Sequence, residues 1–258
     1  MITIKTPQEI EKLKIGGHIL ANILRELEIF TQENYQGAGF VTLSIEKKCE
    51  ELLSQNGVIG AFKDYSYHGS DPYPANLCVS VNDEVVHGIP GNRSMKEGDL
   101  VSLDLGVDKE SLFTDAAISF ILGKAKDHND ELLNKVTRES LYKGIEQAVI
   151  GNRMGDIGFA IENHVREAGF KVIRDYCGHG VGFCIHEDPQ IPNYGNKGMG
   201  IELKEGMVLA IEPMVVYGDV ATFVDKNNWT VKTRDGKRAS HAEHTIAITV
   251  EGPMILTE

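Results

Sequence analysis

The feature that most constrains this chain is a repeat inside it. Lys96-Glu97-Gly98-Asp99-Leu100-Val101-Ser102-Leu103-Asp104 resembles Lys204-Glu205-Gly206-Met207-Val208-Leu209-Ala210-Ile211-Glu212: a Lys-Glu-Gly turn, a short apolar run, and a carboxylate at the ninth position. Upstream of each stands a histidine before a turn that ends in proline, His87-Gly88-Ile89-Pro90 and His186-Glu187-Asp188-Pro189. Self-similarity at a fixed offset guides the fold more firmly than any local pattern. Two units related by a two-fold axis would bring Asp104 and Glu212 together from opposite sides. Buried carboxylates that face each other repel, and a cation between them is the natural neutraliser.

Other stretches add candidates for the same site. In Tyr176-Cys177-Gly178-His179-Gly180-Val181-Gly182-Phe183-Cys184-Ile185-His186-Glu187, two histidines lie between glycines in a strand-like run. Cys177 reads as a small packed thiol. The runs Leu100 to Val107 and Leu112 to Leu122 flank Asp108-Lys109-Glu110-Ser111, a hairpin signal. A four-residue loop there sets Val107 opposite Leu112 and Asp104 opposite Asp115, about 5 Å apart at Cβ. Like charges so placed on an apolar sheet call for a metal. Near the end, Glu243 interrupts an apolar strand between His241 and His244, and it counts as a further ligand. The two flanking histidines read equally well as supporting residues.

Composition limits the alternatives. The chain has 258 residues, 41% hydrophobic and 25% charged, enough for a substantial core in one large domain or two small ones. A net charge of −12 argues against a nucleic-acid surface, which needs a basic face. The four cysteines (Cys49, Cys78, Cys177, Cys184) form no CxxC pair or disulfide framework, as in a reducing compartment. No apolar signal core opens the chain and no run is long enough to span a membrane, so a cytoplasmic location is expected.

Along the chain, Thr6-Pro7-Gln8-Glu9 is a capping box with Pro at the first helical position. Ile10, Leu13, Leu20, Leu24 and Leu27 then recur on one helical face. A second helix is predicted from Thr42 to Asn56, burying Cys49, Leu52 and Leu53 and stopping at Gly57. After strands around Cys78–Asn82, Val85–His87 and the hairpin, the layout recurs. One helix is predicted from Asp127 to Ile150 and another from Asp156 to Gly169. Strands follow at Lys171, around His179, at Met207–Val215 and at His241–Val250. Two helices then antiparallel strands, twice over, predict one α+β domain over 1–258, with pseudo-repeats of roughly 1–123 and 124–258 and its site in the seam.

With Asp104, Asp115, His179, Glu212 and Glu243 in this order, the sequence resembles the methionine aminopeptidases, type I. The segments that carry the resemblance are YCGHGVGFCIHEDPQIPNY, NDEVVHGIPG, SLDLG, FTDAA, AIEPM, NNWTVKTRDG and AEHT, covering most of the chain from Cys78 onward. The resemblance implies the pita-bread (creatinase/aminopeptidase) fold, duplicated helices over a curved, mostly antiparallel sheet. It also implies two divalent ions, of Mn²⁺, Fe²⁺, Co²⁺ or Zn²⁺, with Asp115 and Glu243 bridging. Asp104 would complete one ion, and His179 and Glu212 the other. The implied reaction is removal of the N-terminal methionine from peptides and nascent proteins by a metal-bridging hydroxide, with a small second residue preferred. Glu212 would relay the proton, His186 would donate to the oxyanion, and His87 would sit near the scissile nitrogen. Trp229, Cys78, Ile185, Tyr67 and His68 would wall the methionine slot. A monomer with no direct nucleic-acid specificity and no membrane contact is expected, with the ribosome as a candidate docking partner. The rival readings are a prolidase or aminopeptidase P of the same fold, and a metal-free partner-binding protein.

Overall fold

The computed structural model describes residues 2–66 and 71–258. Helix α1 (Pro7–Asn34) begins as the capping box requires: the Glu9 amide donates to Thr6 Oγ1 (3.3 Å) and the Thr6 amide to Glu9 Oε2 (2.7 Å). Its buried stripe includes all five residues read from the periodicity. Gly17 lets the C-terminal end of the chain pass over the helix, because a Cβ there would lie 2.1 Å from the Leu256 carbonyl oxygen. Helix α2 (Thr42–Asn56) buries Cys49, Leu52 and Leu53 and ends on Gly57 at φ 62°, a left-handed cap.

The strands of the first half are β1 (Ile59–Gly60), β2 (Leu77–Val81), β3 (Glu84–Val86), β4 (Leu100–Lys109) and β5 (Leu112–Ile121). Helices α3 (His128–Ile145) and α4 (Met154–Glu167) follow. The second half continues with β6 (Lys171–Val172), β7 (Gly178–Gly180), β8 (Glu187–Ile191), β9 (Val208–Ile211) and β10 (Met214–Val216). It closes with β11 (Thr222–Val224), β12 (Val231–Thr233), β13 (Ala239–His241), β14 (Glu243–Thr249) and β15 (Gly252–Ile255). Helix α3 stops five residues short of the predicted Ile150, where its last turn tightens to i→i+3 bonds (Gln147 to Gly144, Ala148 to Ile145) and unwinds before Gly151.

The main sheet runs β1-β4-β5-β14-β9-β7-β8, with β2 also on β4 and β15 also on β14, and its pairings among the described residues are antiparallel. Two three-stranded sheets, β13-β10-β6 and β11-β12-β3, lie beside it. Helices α1 and α2 pack with Leu77, Val79, Leu103, Leu105 and Ala116. Helices α3 and α4 pack with Leu209, Ile211, Ile246 and Ile248. In a pleated sheet these residues share one face, so both helix pairs cover the same side and the alternate residues face away. That agrees with the α+β pita-bread expectation.

Two sequence readings of the strands need correction. The hairpin turn is Glu110-Ser111, not the four-residue loop: Lys109 pairs with Leu112, Gly106 with Asp115 and Asp104 with Ala117. Both turn residues take left-handed φ (56° and 63°), a two-residue turn whose twist matches that of the strands. Asp104 and Asp115 are therefore diagonal neighbours, not directly opposed. The shift is by two positions, so both carboxylates stay on the same face. The runs Met207–Val215 and His241–Val250 are likewise each two strands. Pro213, with no N–H to give, ends β9 in the main sheet, and β10 resumes in the smaller one. The paired run of the same chain breaks at the same level, between β13 and β14, where the Ala242 amide donates to the Pro213 carbonyl (3.3 Å).

Candidate metal centre

Sheet register assembles the site. Asp104, Ala117 and Glu243 lie in a row across β4, β5 and β14, with Asp115 two residues along β5. Thr245, Ala210 and His179 form a second row across β14, β9 and β7, with Glu212 two residues beyond Ala210. Since side chains alternate with period two, Asp104, Asp115, Glu243, Glu212 and His179 share the face opposite the helices. Strands β4, β5, β14 and β7 carry Asp104, Asp115, Glu243 and His179, and Glu212 stands one residue past the end of β9, which lies between β14 and β7. Ala117 and Ala210 between them are small enough to leave room.

The two Lys-Glu-Gly turns that start β4 and β9 match bond for bond. Gly98 (φ 80°) donates to the Leu122 carbonyl at 2.7 Å, and Leu122 returns a bond to Asp99 at 2.9 Å. Gly206 (φ 82°) donates to Ile248 at 2.9 Å, and Ile248 to Met207 at 2.9 Å. Asp104 and Glu212 leave these turns at equivalent positions.

Donor atoms of three overlapping triads lie within 4.8 Å of one another: Asp104, Asp115 and Glu243; His179, Glu212 and Glu243; Asp115, His179 and His186. His179 Nε2 stands 3.8 Å from Asp115 Oδ2 and 3.8 Å from Glu212 Oε1. Its Nδ1 lies 2.9 Å from the Gly180 carbonyl, which can only accept, so the proton sits on Nδ1 and the Nε2 lone pair faces the carboxylates. Asp104 Oδ1, Asp115 Oδ1 and Glu243 Oε1 are buried without a hydrogen-bond partner. Burial, and then mutual repulsion, hold the Asp104, Glu212 and Glu243 carboxyls well above the usual range, and burial brings Asp115 to about 7. Orphaned oxygens, raised carboxyl pKa values and an imidazole with a free lone pair all fit a divalent cation with hard donors.

Three further histidines surround this floor. Burial lowers His87 to about 4 and His241 to about 3, so both rings are neutral near pH 7. His241 Nε2 lies 3.3 Å from Glu212 Oε2 without hydrogen-bond alignment. His186 opens into the cavity, its ring 4.4 Å from that of His179 and 4.8 Å from that of Tyr65. Desolvation by the cavity wall and the neighbouring histidines keep it neutral too. His244 points away, with Nδ1 2.9 Å from Thr257 Oγ1. Cys177 lines the cavity, half-buried, and joins none of the triads.

Above the floor lies a cavity of about 940 Å³. Cys78 and Trp229, read from the sequence as walls, line it, together with His87 and His186. Ile185 does not: it is buried behind the wall, its Cδ1 and the Phe62 ring both close to Gly106. Tyr67 and His68 lie outside the described residues. The sequence reading missed Phe62, Tyr65, Tyr73 and Tyr176, which line the cavity. Tyr73 stacks edge-on against Trp229 (5.2 Å), and Tyr176 against His87 (5.9 Å). The aromatic density between Phe62 and Tyr73 was the available signal.

Comparison with known proteins agrees with this geometry. The model of metallopeptidase family M24 matches residues 11–250. A methionine aminopeptidase of Clostridium acetobutylicum is 43% identical over 258 residues, covering all of this chain and 99% of its own. Methionine aminopeptidase 1 of Bacillus subtilis is 45% identical over 260 residues with the same coverage. The crystal structure of methionine aminopeptidase from Thermotoga maritima superposes over the whole of both chains with a TM-score of 0.93 and 46% identity. A prolidase from Pyrococcus horikoshii shares the fold alone (TM-score 0.73, 22% identity), and this chain covers 63% of it. No helix among the described residues is long and apolar enough to cross a membrane. The chain belongs to metallopeptidase family M24 and, within it, to the methionine aminopeptidases.

Proposed function

We propose that this chain is a single catalytic unit that hydrolyses the first peptide bond of peptides and nascent proteins beginning with methionine, in the cytoplasm and as a monomer of type I character. The observation that carries the reading is the convergence of five donors on one sheet face, three of their carboxylate oxygens unpartnered, at the floor of an aromatic-walled cavity. The overlap of the donor triads at Glu243 and Asp115 supports two ions sharing those carboxylates. Asp104 would complete one site, and His179 with Glu212 the other. Mn²⁺, Fe²⁺, Co²⁺ and Zn²⁺ all suit such a donor set. When bound, the ions supply Lewis acidity to the scissile carbonyl and make water acidic enough to attack near neutral pH.

The chain's own groups do the rest. The substrate's free α-amine, in its neutral form, would sit at the Asp104 side of the floor, which selects a free N-terminus. Phe62, Tyr65, Cys78 and Trp229 exclude water around the methionine side chain. Glu212, whose Oε1 stands 3.8 Å from His179 Nε2 on the cavity floor, takes the proton from water and passes it to the leaving amine. His186, neutral and facing the cavity, donates a ring N–H to the developing oxyanion, and His87 sits near the scissile nitrogen. The likeness to the methionine aminopeptidases supports a preference for a small second residue. The ribosome, where nascent N-termini emerge, is the proposed place of work.

The test is release of methionine from Met-Ala-Ser by metal-free protein titrated with Mn²⁺, Fe²⁺, Co²⁺ and Zn²⁺. Turnover should appear with at least one metal, and should be absent for an Xaa-Pro peptide. Failure with every metal, or preference for the Xaa-Pro peptide, overturns the reading.

A further inference from the structure

We propose that Lys5 is a positioning residue for His186: the segment before α1 locks the loop that carries His186 through a buried contact with Glu187. This rests on the reading that His186 acts in the reaction. The start of the loop between β7 and β8 is held by backbone bonds, from the Val181 amide to the Val208 carbonyl (3.1 Å) and from the Phe113 amide to the Gly182 carbonyl (2.7 Å). Beyond it Phe183 and Cys184 are exposed, and the Gly182 amide donates within the loop, to the Cys184 carbonyl (3.1 Å). What closes it is the side chain of Glu187, next to His186. Glu187 Oε1 accepts the amides of Phe183 (2.5 Å) and Cys184 (3.0 Å), tying the loop to its own exit.

The other oxygen of Glu187 is held from outside. Lys5 Nζ donates to Oε2 at 2.7 Å, with both side chains nearly inaccessible (1% and 6%). The Thr3 hydroxyl donates to the same oxygen, and Lys5 also donates to Thr3. Lys5 in turn is anchored by its amide to the Gly206 carbonyl (2.8 Å) and stacks over the Phe183 ring (5.3 Å to the centroid). Gly182 is shaped to this contact, since a Cβ there would lie 2.3 Å from Lys5 Cε. One residue thus joins the Lys-Glu-Gly turn behind Glu212 to the loop in front of it.

The other half of the molecule shows the contrast. The histidine at the equivalent place, His87, sits in a segment held by neutral groups of the fold. Tyr73 donates to the Gly88 carbonyl (2.9 Å), the Gly88 amide to Ser80 (3.1 Å), and Thr230 to the His87 carbonyl (3.3 Å). His186 alone depends on a charge brought from the start of the chain. A buried carboxylate stays in place only while its partner is there; without Lys5, Glu187 turns outward to water and releases both amides.

The experiment compares Lys5→Met with Thr6→Ala, which removes the α1 cap one residue away without touching Glu187. Exchange of the Phe183 and Cys184 amides is followed by NMR in metal-free protein. Lys5→Met should speed it about tenfold or more relative to core amides such as Leu209, and Thr6→Ala should not. With metal and Met-Ala-Ser, Lys5→Met should lower kcat about tenfold with KM within twofold, while Thr6→Ala leaves kcat within twofold. If Lys5→Met does not fold, Glu187→Gln takes its place, with a smaller loss of kcat at constant KM. Unchanged amide exchange, or equal effects of Lys5→Met and Thr6→Ala, overturns the proposal. A wild-type protein that releases no methionine overturns the reading it rests on, and the exchange result then judges the loop lock by itself.

Discussion

At the scale of single residues, the site trades stability for chemistry. Asp104, Asp115, Glu212 and Glu243 would each be easier to bury uncharged, and without metal their proton affinities rise accordingly. Asp104→Asn should therefore cut kcat by about 10²–10³, the loss typical of a removed electrostatic contact in a preorganised site. The same change should raise the melting temperature of the metal-free protein, by about 2–4 °C per kcal/mol of relieved repulsion for a chain of this size. Calorimetry and steady-state kinetics on one preparation check both. His186→Ala should lower kcat by about 10²–10³ with little effect on metal affinity, because its ring is exposed to the cavity and contributes little to packing. Loss of metal binding in that variant, read by calorimetric titration, would make His186 a ligand instead, as the third donor triad allows geometrically.

At the scale of elements, the β4–β5 hairpin gives the clearest test and the clearest lesson. Glu110 and Ser111 hold left-handed φ without being glycine or asparagine, which costs stability. Ser111→Gly should raise the melting temperature by about 1–3 °C, with turnover unchanged since the turn is remote from the cavity. The sequence predicted this hairpin and the nearness of Asp104 to Asp115, yet set the register two residues off. Nothing in Asp-Lys-Glu-Ser announces two consecutive left-handed residues, whereas Asn-Gly would have. The face survived because alternation repeats every second residue. Helix boundaries set by Thr6 and Gly57 were readable because capping is local chemistry, and the Pro213 break was readable in principle because proline cannot donate. The cavity walls were not. Phe62, Tyr65 and Tyr73 look like core aromatics in the sequence, and Ile185, expected in the wall, packs behind it, since only the folded chain decides which side of an apolar residue meets open space.

At the scale of the whole molecule, pH and metal should be linked. In metal-free protein the raised carboxyls bind protons that the unfolded chain has already released. Their contribution is full below the unfolded carboxylate pKa and is lost as pH rises through the folded values, about 7 for Asp115. His87 and His179, lowered to about 4 from an ordinary 6.5, work in the opposite sense: their contribution is present above 6.5 and lost as pH falls toward 4. The two effects oppose each other between about pH 4 and 6.5. Above that range only the carboxyl effect remains, so the metal-free protein should soften from pH 6.5 to 8. Bound metal replaces those protons, and the rise in melting temperature on adding Mn²⁺ should be larger at pH 8 than at pH 6, as read by thermal melts at both values.

The most direct test of the central claim is anomalous scattering from crystals grown with Mn²⁺. Density is expected among Asp104, Asp115, His179, Glu212 and Glu243, within about 2.0–2.3 Å of their donor atoms. Density confined to the surface, with the five side chains left as they stand in the metal-free protein, would contradict it.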